Sequence, residues 1–443
     1  MNKEKSGIGQ EAIYDAKKLG TSKVLLLGAQ HMFAMFGATV LVPVLTGLSV
    51  STTLLFAGVG TLLFHLLAKG KVPAFLGSSF AFLAGYWAIA PNKEAELLPY
   101  ACFGVACSGI LYFILSALIK IFGSDKVMKF FPPIVTGPII IAIGLNLSQS
   151  AIDNCSADWL IAMIAIAVII ICNIWGKGMV KIIPILLGVL VSYGAAAAMG
   201  QVDFTPVKDA AWVGYPVYWE ETVFSLFPGA DASLLITSAI TIIPIALVTM
   251  VEHIGDISAI SSTVGKNYMK EPGLHRTLFG DGAATILASL FGGPANTTYG
   301  ENTGVLTLTK VYDPMVVRLA AVFAIIFSFC PKVSALISCM PAAAMGGVSL
   351  VLYGMISAVG VRNIVETHVD FTKNRNVIIA ALILVLSIGI NYSSQGAISF
   401  TMGATTISLS GLAVGSLVGI LLNAVLPGKD YLYHEDSLKE KRA

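Results

Sequence analysis

Three carboxylates stand in stretches that are otherwise almost wholly apolar. Glu252 and Asp256 fall four residues apart in Val-Thr-Met-Val-Glu-His-Ile-Gly-Asp-Ile-Ser, so a helix sets both on one face. Two acids that close in low dielectric do not both ionise easily, and one is expected to hold a proton near neutrality, which suits proton coupling. A pair neutralised by cations or by water is the plainer alternative. Glu301 lies in Asn-Thr-Thr-Tyr-Gly-Glu-Asn-Thr-Gly, at the point where a helical pattern begins. There it would accept hydrogen bonds from N–H groups of a polar ligand, or merely complement the helix dipole. His31, beside Gln30, could reach one of these acids or could cap backbone groups of a broken segment. His253 points away from Glu252 and reads as a satisfied structural histidine.

The donors and faces that would complete such a site are also visible. Phe80 ends an extended stretch, Gly77-Ser-Ser-Phe80, and its N–H, like that of Gly300, would be left free. The Phe80 ring could stack on a flat ligand or simply pack in the core. Tyr353, after Gly346 and Gly347, could close the site from the other side. Carboxylate acceptors, two backbone donors and aromatic faces together suit a planar ring with alternating N–H and C=O groups. A nucleobase such as uracil fits this template. A sugar fits poorly, and the carboxylates would repel an anion.

These residues need a frame that carries polar groups deep into an apolar body. The chain has 443 residues, 56% hydrophobic and 12% charged, about half the charge fraction usual for a soluble protein. An all-α membrane protein is expected, with apolar runs at 24–46, 52–68, 72–91, 98–122, 127–148, 158–175, 180–199, 233–262, 275–291, 293–311, 314–330, 333–359, 376–391 and 403–426. That makes fourteen spans. The third and tenth should be half strand and half helix. Gly292, Gly293 and Pro294 stop a helix, the Asn/Thr/Tyr run to Tyr299 suits an extended chain, and the helical pattern resumes at Gly300. A helix that starts midway through lipid leaves its first N–H groups and its positive dipole end near the midplane.

Charge placement tests the count. With the N-terminus inside, all Lys and Arg except Lys93, Lys208 and Lys332 fall in inner loops, and the outer loop 200–232 is acidic. Both termini are then cytoplasmic. Residues 1–23 are polar, with no apolar segment of the kind a signal peptide needs. The six Cys form no C-x-x-C pair and read as packing residues. The chain shows no H-E-x-x-H, no G-x-S-x-G and no P-loop, so an enzyme is not expected, nor a metal, a cofactor or a nucleic-acid partner.

Seven spans plus seven make an inverted repeat. Gln30-His31 answers Glu252-His253. Phe131-Pro132, followed by Gly137, answers Met340-Pro341, followed by Gly346, and the broken third span answers the tenth. Broken spans at matching places in two halves point to a central site, and their extended parts could pair as strands.

At these residues the chain resembles the nucleobase–ascorbate transporter family, most of all its bacterial uracil permease branch. The resemblance covers nearly the whole chain. It is carried by Gln30-His-Met-Phe-Ala-Met-Phe-Gly-Ala-Thr-Val-Leu-Val-Pro43, Gly77-Ser-Ser-Phe-Ala-Phe82 and the run from Asn296 to Gly304. Glu at 301 is similar to the uracil branch, whereas xanthine and urate carriers usually have Gln. The resemblance implies a core domain (24–122 and 233–330) and a gate domain (123–199 and 331–426), between an N-terminal segment 1–23 and a tail 427–443. It implies proton-coupled import of the base by an elevator movement of core against gate. By position it implies ligand contacts from Ala38, Phe80, Glu252, Gly300, Glu301 and Tyr353, with Tyr299 and Asn302 in support. Proton handling would fall to Glu252, Asp256, Glu301 and His31. Some relatives have His where this chain has Asp256, which leaves open the group that carries the proton. Uracil, protons and membrane lipid are the expected partners, and the apolar gate spans offer a face for a homodimer. A purine permease of the same family and an anion exchanger of related architecture are the alternatives.

Overall fold

The computed structural model describes residues 8–9, 11–227, 229–394, 396–402 and 405–428. Residues 1–7 lie outside that range, as do 429–443, which make up most of the expected tail.

The first half runs α1 (Thr21–Thr46), α2 (Val50–Leu67), β1 (Leu76–Ser78), α3 (Leu83–Ile89), α4 (Leu98–Phe122), a short α5 (Ser124–Met128), α6 (Pro133–Cys155), α7 (Trp159–Ile174), a short α8 (Met179–Ile182) and α9 (Pro184–Ala198). After the short α10 (Thr205–Asp209) come α11 (Ala232–Ile242), α12 (Ala246–Val264), α13 (Leu274–Leu290), β2 (Asn296–Thr298) and α14 (Gly300–Thr309). The chain continues through α15 (Pro314–Ser328), α16 (Pro331–Ser338), α17 (Ala342–Glu366), α18 (Asn374–Asn391), β3 (Ala397–Met402), β4 (Thr405–Ser410) and α19 (Gly411–Val425). Among the described residues, seven helices are long and apolar enough to cross a membrane, counting Ala232–Val264 as one.

Local chemistry sets most helix ends. Asp158, Asp231 and Asp313 accept from first-turn N–H groups of α7, α11 and α15, and Ser49 and Ser410 do so for α2 and α19. Pro opens α4, α6, α9, α15 and α16, where its missing N–H costs nothing. Left-handed Gly47 and Gly265 close α1 and α12.

The largest differences from the sequence reading fall at three places. The run 233–262 is not one regular helix: a 3-10 turn at Ile243–Ile245 separates α11 from α12, because Pro244 cannot donate to the helix ladder. The run 333–359 is also divided. Residues 331–338 form α16, which bends by 86° from α15, and the long helix α17 begins only after Pro341. The run 403–426 opens as the second strand of a hairpin, β3 with β4, before α19 begins at Gly411. Thr and Ser alternate with larger side chains from Thr406 to Ser410, which suits a strand better than a helix.

The helices gather in two sets. In one, α13 lies against α2 and α4, and α15 lies against α1 and α2. In the other, α6 pairs with α17, α7 with α9 and α17, and α18 with α6 and α19. Small residues bring α6 and α17 backbone to backbone. A Cβ on Gly144 would run into the Tyr353 carbonyl, and one on Gly360 would come within 2.7 Å of the Gly137 carbonyl. Helix α12 bridges the sets, touching α4 and α14 on one side and α6 and α19 on the other.

Candidate functional site

The site grows from two three-residue strands. β1 and β2 pair antiparallel, with Leu76 opposite Thr298, Gly77 opposite Thr297 and Ser78 opposite Asn296. The ladder extends at both ends: Ser79 N–H donates to the Ala295 carbonyl at 2.8 Å, and Tyr299 N–H to the Phe75 carbonyl at 3.0 Å. Each strand is clamped by one threonine from a neighbouring helix. Thr61 of α2 donates to the Leu76 carbonyl (3.2 Å) and accepts from Leu76 N–H (2.9 Å). Thr285 of α13 does the same for Asn296, at 3.0 and 3.2 Å. The outward-facing backbone groups of Leu76 and Asn296, buried on either side of the ladder, are thus satisfied. Neither threonine was singled out from sequence, although both sit mid-run in apolar helices.

Polar side chains then lock the strands to α1 and α2. Ser78 Oγ donates to the Thr39 carbonyl (2.6 Å), Tyr299 Oη to the Ser78 carbonyl (2.9 Å), and Asn296 Nδ2 to the Phe56 carbonyl (3.0 Å). Tyr299 is 4% exposed, so it fixes the residue just before α14 from inside the core.

Helix α14 begins at Gly300 with no side-chain cap. Its first N–H groups therefore lack helical partners and carry the positive end of the dipole. Gly300 is exposed, and a Cβ built on it would meet no atom within 4 Å, so the helix start faces open space. Glu301, Glu252 and Asp256 are all half-buried. The charges of Asp256, Asp281 and Glu301 all bear on Glu252. Helix α12 also contacts β2 directly, and Thr298 Oγ1 donates to Asp256 Oδ2 at 2.6 Å. The structure thus brings the three sequence-predicted acids to the beginning of one helix, and Thr298 is a partner that sequence reasoning missed.

His31 is fully buried on α1. Its Nδ1 lies 3.1 Å from Asn302 Nδ2, which also donates to the His31 carbonyl at 2.9 Å. The ring therefore meets a side-chain amide of α14, which is neither an acid nor a backbone group of the broken segment. Gln30 turns away, donating to Met179 Sδ at 2.6 Å. We expect Asn302→Ala to lower stability by about 1–3 kcal/mol, since it strips a buried amide from two acceptors. In a double-mutant cycle with His31→Ala the two losses should fail to add. Additive losses in thermal unfolding would mean that the two side chains act independently.

Phe80 and Tyr353 touch edge to face, with centroids 5.7 Å apart and planes at 75°. Both are buried, at 7% and 1% exposure, so they form one aromatic wall and not two plates with a gap between them. Ala38, also fully buried, lies next to Thr39, whose carbonyl holds Ser78.

His253 points to the far side of α12, where its Nδ1 lies 2.9 Å from Asp281 Oδ2, both side chains fully buried. Asp281 is the fourth acid of the region and was not anticipated from sequence. It stands alone between two glycines in an apolar helix, with its partner on another helix. Among the described residues no group of three His, Cys, Asp or Glu is arranged to hold a metal ion.

With this geometry in place, the chain can be set beside known proteins. Residues 22–396 match the Xan_ur_permease model, described as a permease family. The uracil permease of Bacillus caldolyticus is 42% identical over 416 residues, covering 91% of this chain and 92% of that protein. The uracil permease of Escherichia coli K12 is 39% identical over 410 residues, covering 90% of each. Among solved structures, the transmembrane domain of the cyanobacterial bicarbonate transporter BicA matches with a TM-score of 0.60 at 12% identity, covering 93% of this chain and 99% of that one. The murine anion transporter Slc26a9 in its inward-facing state matches with a TM-score of 0.64, also at 12% identity, covering 91% and 67%. These two share the fold.

Proposed function

The chain belongs to the Xan_ur_permease permease family, a multi-pass membrane protein and not an enzyme, and from that premise we propose that it imports uracil together with a proton. The observation that carries the reading is the set of half-buried acids, Glu252, Asp256 and Glu301, around an uncapped helix start at Gly300 that opens to free space. Uracil is neutral and presents N–H and C=O groups along one edge. Glu252 and Glu301 accept its N–H groups, and a protonated carboxyl of the cluster donates to a ring carbonyl. Backbone N–H groups of Phe80 and Gly300 take the remaining carbonyl, and the Phe80–Tyr353 wall and Ala38 pack against the ring. Tyr299 and Asn302 hold the first turn of α14 in place through β1 and α1.

Transport in this account needs the acids to be part-neutralised before the ring can be held, since three carboxylates crowding one site repel each other. A proton entering the group Glu252, Asp256 and Glu301 permits binding, and its loss on the other side releases both passengers. The fourteen spans divide as two inverted sets of seven. The core (24–122 and 233–330) carries the site, and the gate (123–199 and 331–426) stands still while the core moves past it. The matching threonine clamps on β1 and β2 favour the repeat. A homodimer through the gate helices, both termini in the cytoplasm and a place in a bacterial cytoplasmic membrane complete the proposal.

Names of relatives near 40% identity favour uracil over a purine, and Glu at 301 points the same way. The anion transporters among the solved structures agree in fold only, and acids at the helix start suit an anion poorly. Labelled uracil uptake into proteoliposomes tests the proposal. One proton per uracil, driven by a gradient of one pH unit, accumulates about tenfold, because one unit is worth about 1.4 kcal/mol. Accumulation that survives collapse of the pH gradient by a protonophore rules out proton coupling. Uptake blocked by xanthine as well as by unlabelled uracil reassigns the substrate.

A further inference from the structure

A second feature lies behind α12. A cavity of about 480 Å³ opens between α4 and α5 on one side and α12 and α19 on the other, with Leu111, Leu118, Phe131, Leu247, Met250 and Ile420 among its walls. Its contacts with α4 run from Leu111 to Phe122, about 16 Å along one helix face. It is therefore a long slot and not a round pocket, and its walls are hydrocarbon throughout except for Lys126. Ile114, Phe122 and Phe130 along its rim are about half exposed, so the slot opens sideways.

The charge at its end is mostly positive. Lys126 is exposed, as are Lys120 and Lys129 nearby in sequence, against the single acid Asp125 in that stretch. Among the described residues none of these three lysines makes an ion pair. A slot that is apolar along its length and cationic at one end matches a single amphiphile with an acidic head.

We propose that this slot binds an acyl chain of an anionic phospholipid from the leaflet at the Lys126 end, with Lys126 holding its phosphate. The slot is walled by both sets of helices, and Leu247 and Met250 precede Glu252 on α12 by less than two turns. A seated chain therefore packs against the back of the helix that carries Glu252 and Asp256. It also fills space between the two sets.

Photoactivatable phosphatidylglycerol and phosphatidylcholine, each with the reactive group midway along one chain, test the assignment on the purified full-length protein. Phosphatidylglycerol is expected to label residues 111–131 and 247–250 at least five times more than phosphatidylcholine. Lys126→Gln should cut that labelling about fivefold, the share expected of one lysine near an acidic headgroup. Leu118→Trp, which fills the slot, should remove labelling by both lipids. Unchanged unfolding temperatures would show that the variants keep their fold, and none of these readouts depends on uracil transport. Equal labelling by the two lipids, undiminished labelling of Lys126→Gln, or label spread evenly over the lipid-facing helices overturns the proposal.

Discussion

Glu301→Gln should lower uracil uptake by about a hundredfold, and Glu252→Gln by a similar factor. Gln keeps the shape of Glu and one oxygen acceptor, so folding should survive. It loses the negative charge and the ability to exchange a proton. A hydrogen bond to a charged group contributes about 1.5–3 kcal/mol, and about 3 kcal/mol corresponds to roughly a hundredfold in affinity. Both residues should matter because they stand on different helices yet act at one place. Glu301 opens α14, and Glu252 lies on α12, which packs against α14. The two losses should not multiply in the double variant, since either one alone already empties the site. Wild-type uptake by both single variants would remove these residues from the account.

Gly77→Val should abolish uracil binding with only partial loss of stability. Valine suits a strand better than glycine, so local propensity predicts no harm. Its side chain, however, would enter the ring of Tyr299 and approach Thr39 Oγ1, which lies 2.8 Å from the position of a Cβ on Gly77. Overpacking of this kind costs about 1–3 kcal/mol. The displacement falls on Tyr299, whose hydroxyl bonds the Ser78 carbonyl and whose neighbour is Gly300. The first turn of α14 moves with it. Thermal unfolding should show a folded variant whose midpoint no longer rises with uracil, since only a ligand that binds the native state raises it. A variant that still takes up uracil at the wild-type rate would mean that β1 does not position the site.

Part of this arrangement can be read from the chain and part cannot, and the division is physical. The acids of α12 are legible because a spacing of four places side chains on one helix face whatever the fold. Glu301 is legible because Gly292, Gly293 and Pro294 interrupt an apolar run just before it; the strand Asn296–Thr298 lies in the stretch that follows. The break at Pro244 was present in the sequence, yet an apolar run on both sides concealed it. The 86° turn between α15 and α16 is different in kind. Pro331 announces an end to the helix, but the direction of the next one is set by what it packs against. The hairpin of β3 and β4 was hidden by hydropathy, which weighs Thr and Ser lightly and does not ask for their period of two. Asp281 was least legible. Its role depends on His253, 28 residues away and on another helix, and only the tertiary fold brings the two within 2.9 Å. Thr61 and Thr285 share that limit, since a threonine in an apolar helix bonds its own backbone as readily as a neighbouring strand.

Equilibrium binding of labelled uracil to the purified protein measures the central claim most directly, with wild type and Glu301→Gln compared side by side and unlabelled uracil, xanthine and bicarbonate as competitors. The account predicts saturable binding by the wild type, displaced by uracil alone, and binding weakened about a hundredfold in Glu301→Gln. Equal binding by the two proteins, or displacement by bicarbonate, would contradict it.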